Sequence, residues 1–388
     1  MMNTSSRYGL FKKFFLGAVL LSAVIGASVY CLKSGLFPST HSSDWMDRAI
    51  CRDFKRFEKN GITRELLDET WKSCKSHKEF QRYKIIDTKV YGPEGRIKNL
   101  LDELVRHYPV PDVDFIYYYE DRIKKSFFRR KTHIHSGPIF VSAKDKTLDY
   151  AILFSDWVYD IKDDQHGWNF LIKQINENRN AWDWSQKVEK LFWRGMPWDG
   201  KHFGRYRFEN WTSFPRGRLV FDSMKNPELI DAAFSQYPDA CRQQDPERCI
   251  KEMGPIKYVP WSEVLHYKYQ MIIDGVTCSF PATQWKLLSG SLSFMQESND
   301  IQFFYNELSP WKHYVPVKSD LSDLSEKILW AKTHDEEAKL IADNAREFAL
   351  THIMPEHILL YCYKVLIKYA SLQKFQPSIK ETLENPIP

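Results

Sequence analysis

The chain lacks the short signatures that mark several enzyme classes. It has neither a GxGxxG nor a GxxxxGK[ST] phosphate loop, so nicotinamide chemistry and ATP hydrolysis by those routes lose support. A GxSxG nucleophile elbow is missing too. None of the seven cysteines forms a CxxC pair. Cys74 with His77, and His133 with His135, have no second pair at zinc-finger spacing, and isolated residues explain them better than a metal site. Residues 1–33 hold no acid, only Arg7, Lys12, Lys13 and Lys33; beyond them 51 Lys and Arg stand against 50 Asp and Glu. The folded part therefore has no basic excess, which argues against a nucleic-acid partner. Internal repeats and low-complexity tracts are absent.

What is present is an ordinary globular mixture. A chain of 388 residues suits two domains of roughly 150 residues each. With 43% hydrophobic and 27% charged residues, disorder is excluded as the main state. Aromatics reach 15%; most such rings fill cores, and a surplus can line grooves that stack on sugar or nucleobase rings. Phe15 to Leu32 is an uncharged run of 18 residues, near the ~20 needed to cross a bilayer as a helix. Lys12 and Lys13 before it would keep the N-terminus cytoplasmic and deliver the rest to a secretory lumen or periplasm. A cleavable signal ending near Gly26, Ala27 and Ser28 is the competing reading. The expectation is an uncleaved anchor within residues 1–33 and a Ser/Pro/Thr-rich stalk over 34–44.

Residues 45–105 show helix-like spacing with heavy charge. Candidate strands follow at Phe115–Tyr119, Ile139–Ala143, Leu191–Trp193, Tyr267–Ile273, Leu292–Met295 and Tyr314–Val317. Leu219–Met224 reads as helix, as does the chain from Asp320 to about Lys374. Strands alternating with helices imply parallel sheets and an α/β architecture.

Asp112 and Asp114 form a DxD, but the apolar run follows them, so they lead into a strand instead of leaving one. Asp121 lies at the loop end, where an open α/β sheet presents ligands, and reads as either a turn former or a base. Arg194-Gly195, with Arg205, Arg207, Arg216 and Arg218 downstream, is a cationic block that could neutralise a diphosphate or remain a solvated loop. Asp274-Gly275 to Ser291 reads as strand, turn, helix capped by Ser279, and second strand. That is either a phosphate-binding unit or an ordinary βαβ turn.

The series LFWRG (191–195), RGRLVFDSMKNPELIDAAF (216–234), YKYQMIIDG (267–275), LLSGSLSF (287–294) and FFYNELSPWKHYVPVKSDLSDL (303–324) resembles glycosyltransferase family 90 over roughly residues 110–370. The resemblance implies a GT-B fold, two Rossmann-like domains around a cleft. The acceptor domain would cover 45–185 and the donor domain 186–345, with residues 346–388 returning to the first. It implies a UDP-sugar donor, no obligatory metal, Asp121 as catalytic base, and Arg194 and Gly195 on the donor-phosphate loop. Glu263, Tyr269, Asp274, Gly275, Ser279, Ser289, Gly290 and Ser291 would fall on the donor-binding face. One departure stands out: many members carry an Arg two residues after the equivalent of Ser279, where this chain has Pro281. Lys286, Arg205 or Arg207 would then supply the countercharge, or activity would be reduced.

The expected function is thus inverting transfer of a hexose or pentose from a UDP-sugar to a hydroxyl of a lipopolysaccharide-like glycan, whose branch of the family the WKLLSGS segment resembles, or of protein Ser/Thr. The alternative is a catalytically silent sugar- or nucleotide-binding membrane protein that keeps the fold. In a GT-B fold the C-terminal helix would also bring Cys362 toward Cys51, either as a disulfide or with Cys362 a buried free thiol of a core helix; Cys241 and Cys249 could pair locally.

Overall fold

The computed structural model describes residues 44–123, 137–155, 167–198 and 206–378. The chain forms two units, Met1–Asp47 and Arg48–Pro388. Of the first, only the opening turn of the helix Asp44–Phe54 (α1) is described. The apolar run 15–32, His133, His135 and Arg205 lie outside the described residues. Among those described, no helix is long and apolar enough to cross a membrane.

The larger unit contains two five-stranded sheets. The first has the order β2-β1-β3-β4-β6, from β1 (Phe80–Ile86), β2 (Lys89–Tyr91), β3 (Val113–Tyr118), β4 (Ile139–Val141) and β6 (Ala151–Leu153). Strands β3, β4 and β6 run parallel, whereas β1 pairs antiparallel with both β2 and β3. The β1–β2 hairpin corrects the helical reading of residues 45–105. Phe80, Tyr83, Ile85 and Ile86 suit a half-buried strand, and Asp87 and Thr88 turn it with φ of 50° and 62°. Helices do occupy the rest of that stretch, at Arg64–Cys74 (α2) and Arg96–His107 (α3). Thr63 caps α2 by accepting the Leu66 N–H at 3.2 Å.

The second sheet is wholly parallel, in the order β12-β10-β9-β7-β8: β7 (Val188–Gly195), β8 (Ile230–Phe234), β9 (Tyr267–Ile272), β10 (Leu292–Gln296) and β12 (Val315–Val317). Helix Pro215–Lys225 (α4) connects β7 to β8, starting on a proline suited to the first turn. Helix Ala282–Leu288 (α5) connects β9 to β10. Leu191, Trp193, Leu219, Ile230, Tyr269 and Phe294 share one core beneath this sheet. A short antiparallel ribbon of β5 (Lys144–Asp145) with β11 (Asp300–Ile301) joins the loops that leave the two sheets.

Three helices close the chain: Leu324–Thr333 (α6), Asp335–His352 (α7) and Pro355–Leu372 (α8). Helix α8 packs on the first sheet. The Tyr369 ring meets Phe140 edge-on at 5.4 Å and its hydroxyl donates to the Asp114 carbonyl at 2.6 Å. Phe115, Phe140 and Phe154 stack beside it and are fully buried. Each such ring contributes about 2–3 kcal/mol by leaving water, so truncating Phe140 would loosen sheet and helix together.

None of the six described cysteines is in a disulfide, so of the two readings of Cys362 the buried thiol stands and the bridge to Cys51 does not. Cys51 is exposed, whereas Cys362 is buried on α8 with Sγ 3.6 Å from the Ser155 carbonyl. The helix does return to the first sheet, but it turns Cys362 inward. Cys241 and Cys249 are buried in the second core, where desolvation pushes both thiols up.

Candidate active site at the carboxyl ends of two sheets

Parallel strands present ligands beyond their carboxyl ends, and several expected residues gather there. Strand β7 ends at Gly195, and β9 is followed by Ile273, Asp274 and Gly275. Arg216, in the first turn of α4, ties these two ends together. Its Nε donates to the Asp274 carbonyl at 2.8 Å, Nη1 to the Met196 carbonyl at 2.9 Å and Nη2 to the Ile273 carbonyl at 3.3 Å. The neighbouring Gly217 lets α4 sit this close, since a Cβ there would fall 1.7 Å from the Trp211 carbonyl oxygen.

Asp274 is the most perturbed carboxyl in this region. Burial pushes it up to about 7 and Asp300 adds to the rise, while Ser298, Arg216 and Arg122 oppose it. Its amide donates to Gln296 Oε1 at 3.1 Å. Beyond β10 and β12 lies a cavity of about 510 Å³ lined by Gln296, Ser298, Asp300, Tyr305, Tyr314 and Ser319, among others.

The first sheet contributes Asp121 and Arg122, just past the carboxyl end of β3. The Tyr118 hydroxyl donates to the Arg122 carbonyl at 2.9 Å. Arg122 Nη2 lies 3.1 Å from Asp300 Oδ1 and 3.6 Å from Asp145 Oδ2. Asp121 therefore sits beside the point where the loops of the two sheets meet. Negative charge around Tyr118, including Asp121, adds to the burial that suppresses ionisation of that phenol.

Other expected donor residues are placed elsewhere. Ser289, Gly290 and Ser291 precede β10 and so lie at the amino end of the sheet. There the Ser291 hydroxyl donates to the Tyr267 carbonyl at 2.9 Å, at the start of β9. Gly290 has a φ of +72°, the left-handed turn that leads into the strand. Glu263 is exposed on a single turn, Trp261–Val264, at the same end. Tyr269 is fully buried in the core against Phe294.

Ser279 accepts the Thr283 N–H through its carbonyl, not its hydroxyl, and Pro281 occupies the cap of α5. Lys286 points inward, its Nζ donating to the Met271 carbonyl, and burial next to Arg216 brings it down to about 7. It is therefore poorly placed to replace the missing arginine.

Arg194 also departs from expectation. Its guanidinium turns back along the sheet: Nη2 lies 2.7 Å from Asp231 Oδ1, and Nη1 donates to the Trp193 and Asp231 carbonyls. Burial acts the other way, but the Tyr267 hydroxyl and Arg194 hold Asp231 below the usual carboxylate range. Among the described residues of this cationic block, Arg216 stands at the ends of β7 and β9. Its sequence signal is its place in the cationic block downstream of Arg194-Gly195.

Asp114 of the DxD is buried and held in a fork by Arg82 at 2.7 and 2.9 Å, a structural pair. Asp112 accepts the Asp87 N–H. Among the described residues no group of three His, Cys, Asp or Glu could hold a metal ion.

The model of glycosyl transferase family 90 matches residues 40–385. Protein O-glucosyltransferase 2 of Danio rerio is 36% identical over 202 residues, covering 52% of this chain and 36% of that protein. Protein O-glucosyltransferase 3 of Rattus norvegicus is 32% identical over 304 residues, covering 78% of this chain and 54% of that protein. The match thus spans only about a third to a half of these relatives. The crystal structure of Anabaena Alr3699/HepE with UDP-glucose aligns at 10% identity and a TM-score of 0.40, over 64% of this chain and 68% of that one. That likeness is too distant to argue from.

Proposed function

The chain belongs to glycosyl transferase family 90, and from that premise we propose that it is an inverting transferase of GT-B type, using a UDP-sugar and a hydroxyl acceptor. In this reading the first sheet serves the acceptor and the second the donor. The Asp121 carboxylate takes the proton of the acceptor hydroxyl as its oxygen attacks the anomeric carbon. The bond from that carbon to the diphosphate breaks, and UDP departs with the electron pair. Arg216, fixed at the ends of β7 and β9, is the described cation best placed to meet the developing charge.

The observation that carries the reading is the family match across nearly the whole chain, together with Asp121 beside the Arg122–Asp300 contact between the two sheets' loops. The names of the relatives favour glucose as the sugar and protein as the acceptor. The run 15–32 favours an anchored protein with this part on the non-cytoplasmic side. The test is incubation of the full chain with UDP-glucose or UDP-xylose, following UDP release and the anomeric configuration of the product. Retention of configuration would end the inverting mechanism.

Pro281 in place of the family arginine, with Lys286 turned inward, favours a second reading, in which nucleotide binds without turnover. UDP binding by a chain that releases no UDP from either donor would decide for it.

A further inference from the structure

We propose that Arg122 is a positioning residue: by clamping Asp145 and Asp300 across the β5–β11 ribbon, it fixes the Asp121 loop of the first sheet against the donor side. This rests on the reading of Asp121 as the base.

The ribbon places two acids opposite one another. Asp145 and Asp300 are direct partners in its ladder, and both are buried. Like charges directly opposite on a sheet repel, and burial strengthens that repulsion. Arg122 reaches both, at 3.6 and 3.1 Å, and is itself only 20% exposed.

The carboxylate of Asp145 and the backbone of Asp300 are each held in turn. Asp145 Oδ1 accepts from the Thr147 amide at 3.0 Å and its hydroxyl at 2.7 Å, leaving Oδ2 toward Arg122. The Asp300 amide donates to the Ser298 hydroxyl at 2.9 Å. The ribbon is anchored to the first half by Lys144, whose Nζ lies 2.6 Å from Asp53 Oδ1. It reaches the second half through the Lys146 amide, which donates to the Asn299 carbonyl at 2.9 Å.

Arg122 is next in sequence to Asp121, and its carbonyl is held by Tyr118 at 2.9 Å. Its backbone thus belongs to the base's loop while its side chain belongs to the ribbon. A base must be held within a fraction of an ångström of its proton, and a displacement of about 1 Å can cost ~10²-fold in rate. Loss of this clamp frees the loop, while Arg216 keeps its own hydrogen bonds to the Met196, Ile273 and Asp274 carbonyls.

The experiment is a set of full-length variants, Arg122→Gln, Arg122→Lys, Asp121→Asn and Arg122→Gln with Asp121→Asn. UDP-glucose and UDP-xylose are the donors, water is the acceptor, and UDP release is read. Arg122→Gln should lower kcat by roughly 10- to 100-fold, with KM for the donor and UDP affinity within about two-fold of wild type. Lysine should restore part of the rate. In the Asp121→Asn background the Gln change should add nothing, since it acts only through the base. Because unopposed acids could unfold Arg122→Gln, the Arg122→Gln, Asp300→Asn pair removes the repulsion along with the clamp; it should melt like wild type and remain slow.

If Asp121→Asn is slow while Arg122→Gln or that pair turns over like wild type, the inference is overturned and the base survives. An equal further loss in the Asp121→Asn background also overturns it. Wild-type turnover by Asp121→Asn, or none by the wild-type chain, overturns the functional reading first and the inference with it.

Discussion

A Cβ on Gly275 would lie 2.6 Å from Nη2 of Arg216, the guanidinium pinned by the carbonyls of Met196, Ile273 and Asp274. The end of a free arginine would swing aside at little cost, but this one is held on three sides. Gly275→Ala is therefore expected to dislodge Arg216 and weaken UDP binding by about ten-fold, the loss of one charge-assisted contact. Binding calorimetry with UDP and uridine checks it: the effect should fall on UDP and spare uridine. Equal loss for both would mean that the alanine disturbs the fold instead.

The base has a sharper signature. Asp121→Asn keeps size and hydrogen bonding but cannot accept a proton, so transfer should fall by ~10²–10⁴ while UDP affinity holds. Wild-type turnover in the asparagine variant would remove Asp121 from the mechanism.

Arg194 was expected at the donor phosphates, and its pairing with Asp231 predicts something else. Arg194→Ala should leave UDP affinity within about two-fold and lower stability by about 1–3 kcal/mol, because Asp231 loses the partner that offsets its burial. Arg194→Ala with Asp231→Ala should recover part of that loss. Urea unfolding of the two single variants and the pair supplies the cycle. Strongly weakened UDP binding at normal stability would return Arg194 to the donor site.

These outcomes show what was legible in the sequence. Apolar runs such as 115–119 and 267–273 betray buried parallel strands wherever they occur, because both faces of such a sheet are covered. Asp274-Gly275 was correctly set just beyond β9 for the same reason. The end of the sheet on which a turn falls is harder to read: Ser289–Ser291 precedes β10, and a glycine turn looks alike before a strand or after it. The β1–β2 hairpin escaped notice because Arg82, Lys84 and Lys89 broke its apolar pattern. Arg82 is half-buried and Lys84 buried, held by partners, Asp114 and the Ser378 carbonyl, that lie far along the chain. No local pattern reports such pairs.

Two groups near the site predict opposing pH limbs of stability. Asp274 titrates at about 7 in the fold against 3.8 when free. Across that window the folded protein keeps a proton that the unfolded chain has released, so stability falls as pH rises, by at most about 1.4 kcal/mol per unit. Lys286 titrates at about 7 against 10.5. Above neutrality the unfolded chain holds the extra proton, so stability climbs with pH. Asp274→Asn should flatten the lower limb alone, and Lys286→Met the upper one. Urea midpoints at about pH 5, 7 and 9 test this; an unchanged lower limb in Asp274→Asn would show that Asp274 ionises normally.

The cysteines give a last, chemical check. Cys51 is exposed and free, while Cys74, Cys241, Cys249, Cys278 and Cys362 are buried. Only thiolate reacts with an alkylating agent, and desolvation pushes Cys74 up to about 12 and Cys278 well above the ordinary thiol. In the native, unreduced protein, iodoacetamide should therefore label Cys51 fast and leave those five unmodified until denaturant is added. Reductant should make no difference to the peptide map over the described residues. A Cys51-to-Cys362 cross-linked peptide from unreduced protein would instead require α8 to rotate Cys362 out from beside Ser155 and open the packing of that helix on the first sheet. The same protein would then lose the slow labelling of Cys362, so one digest reads both the bridge and the helix that forbids it.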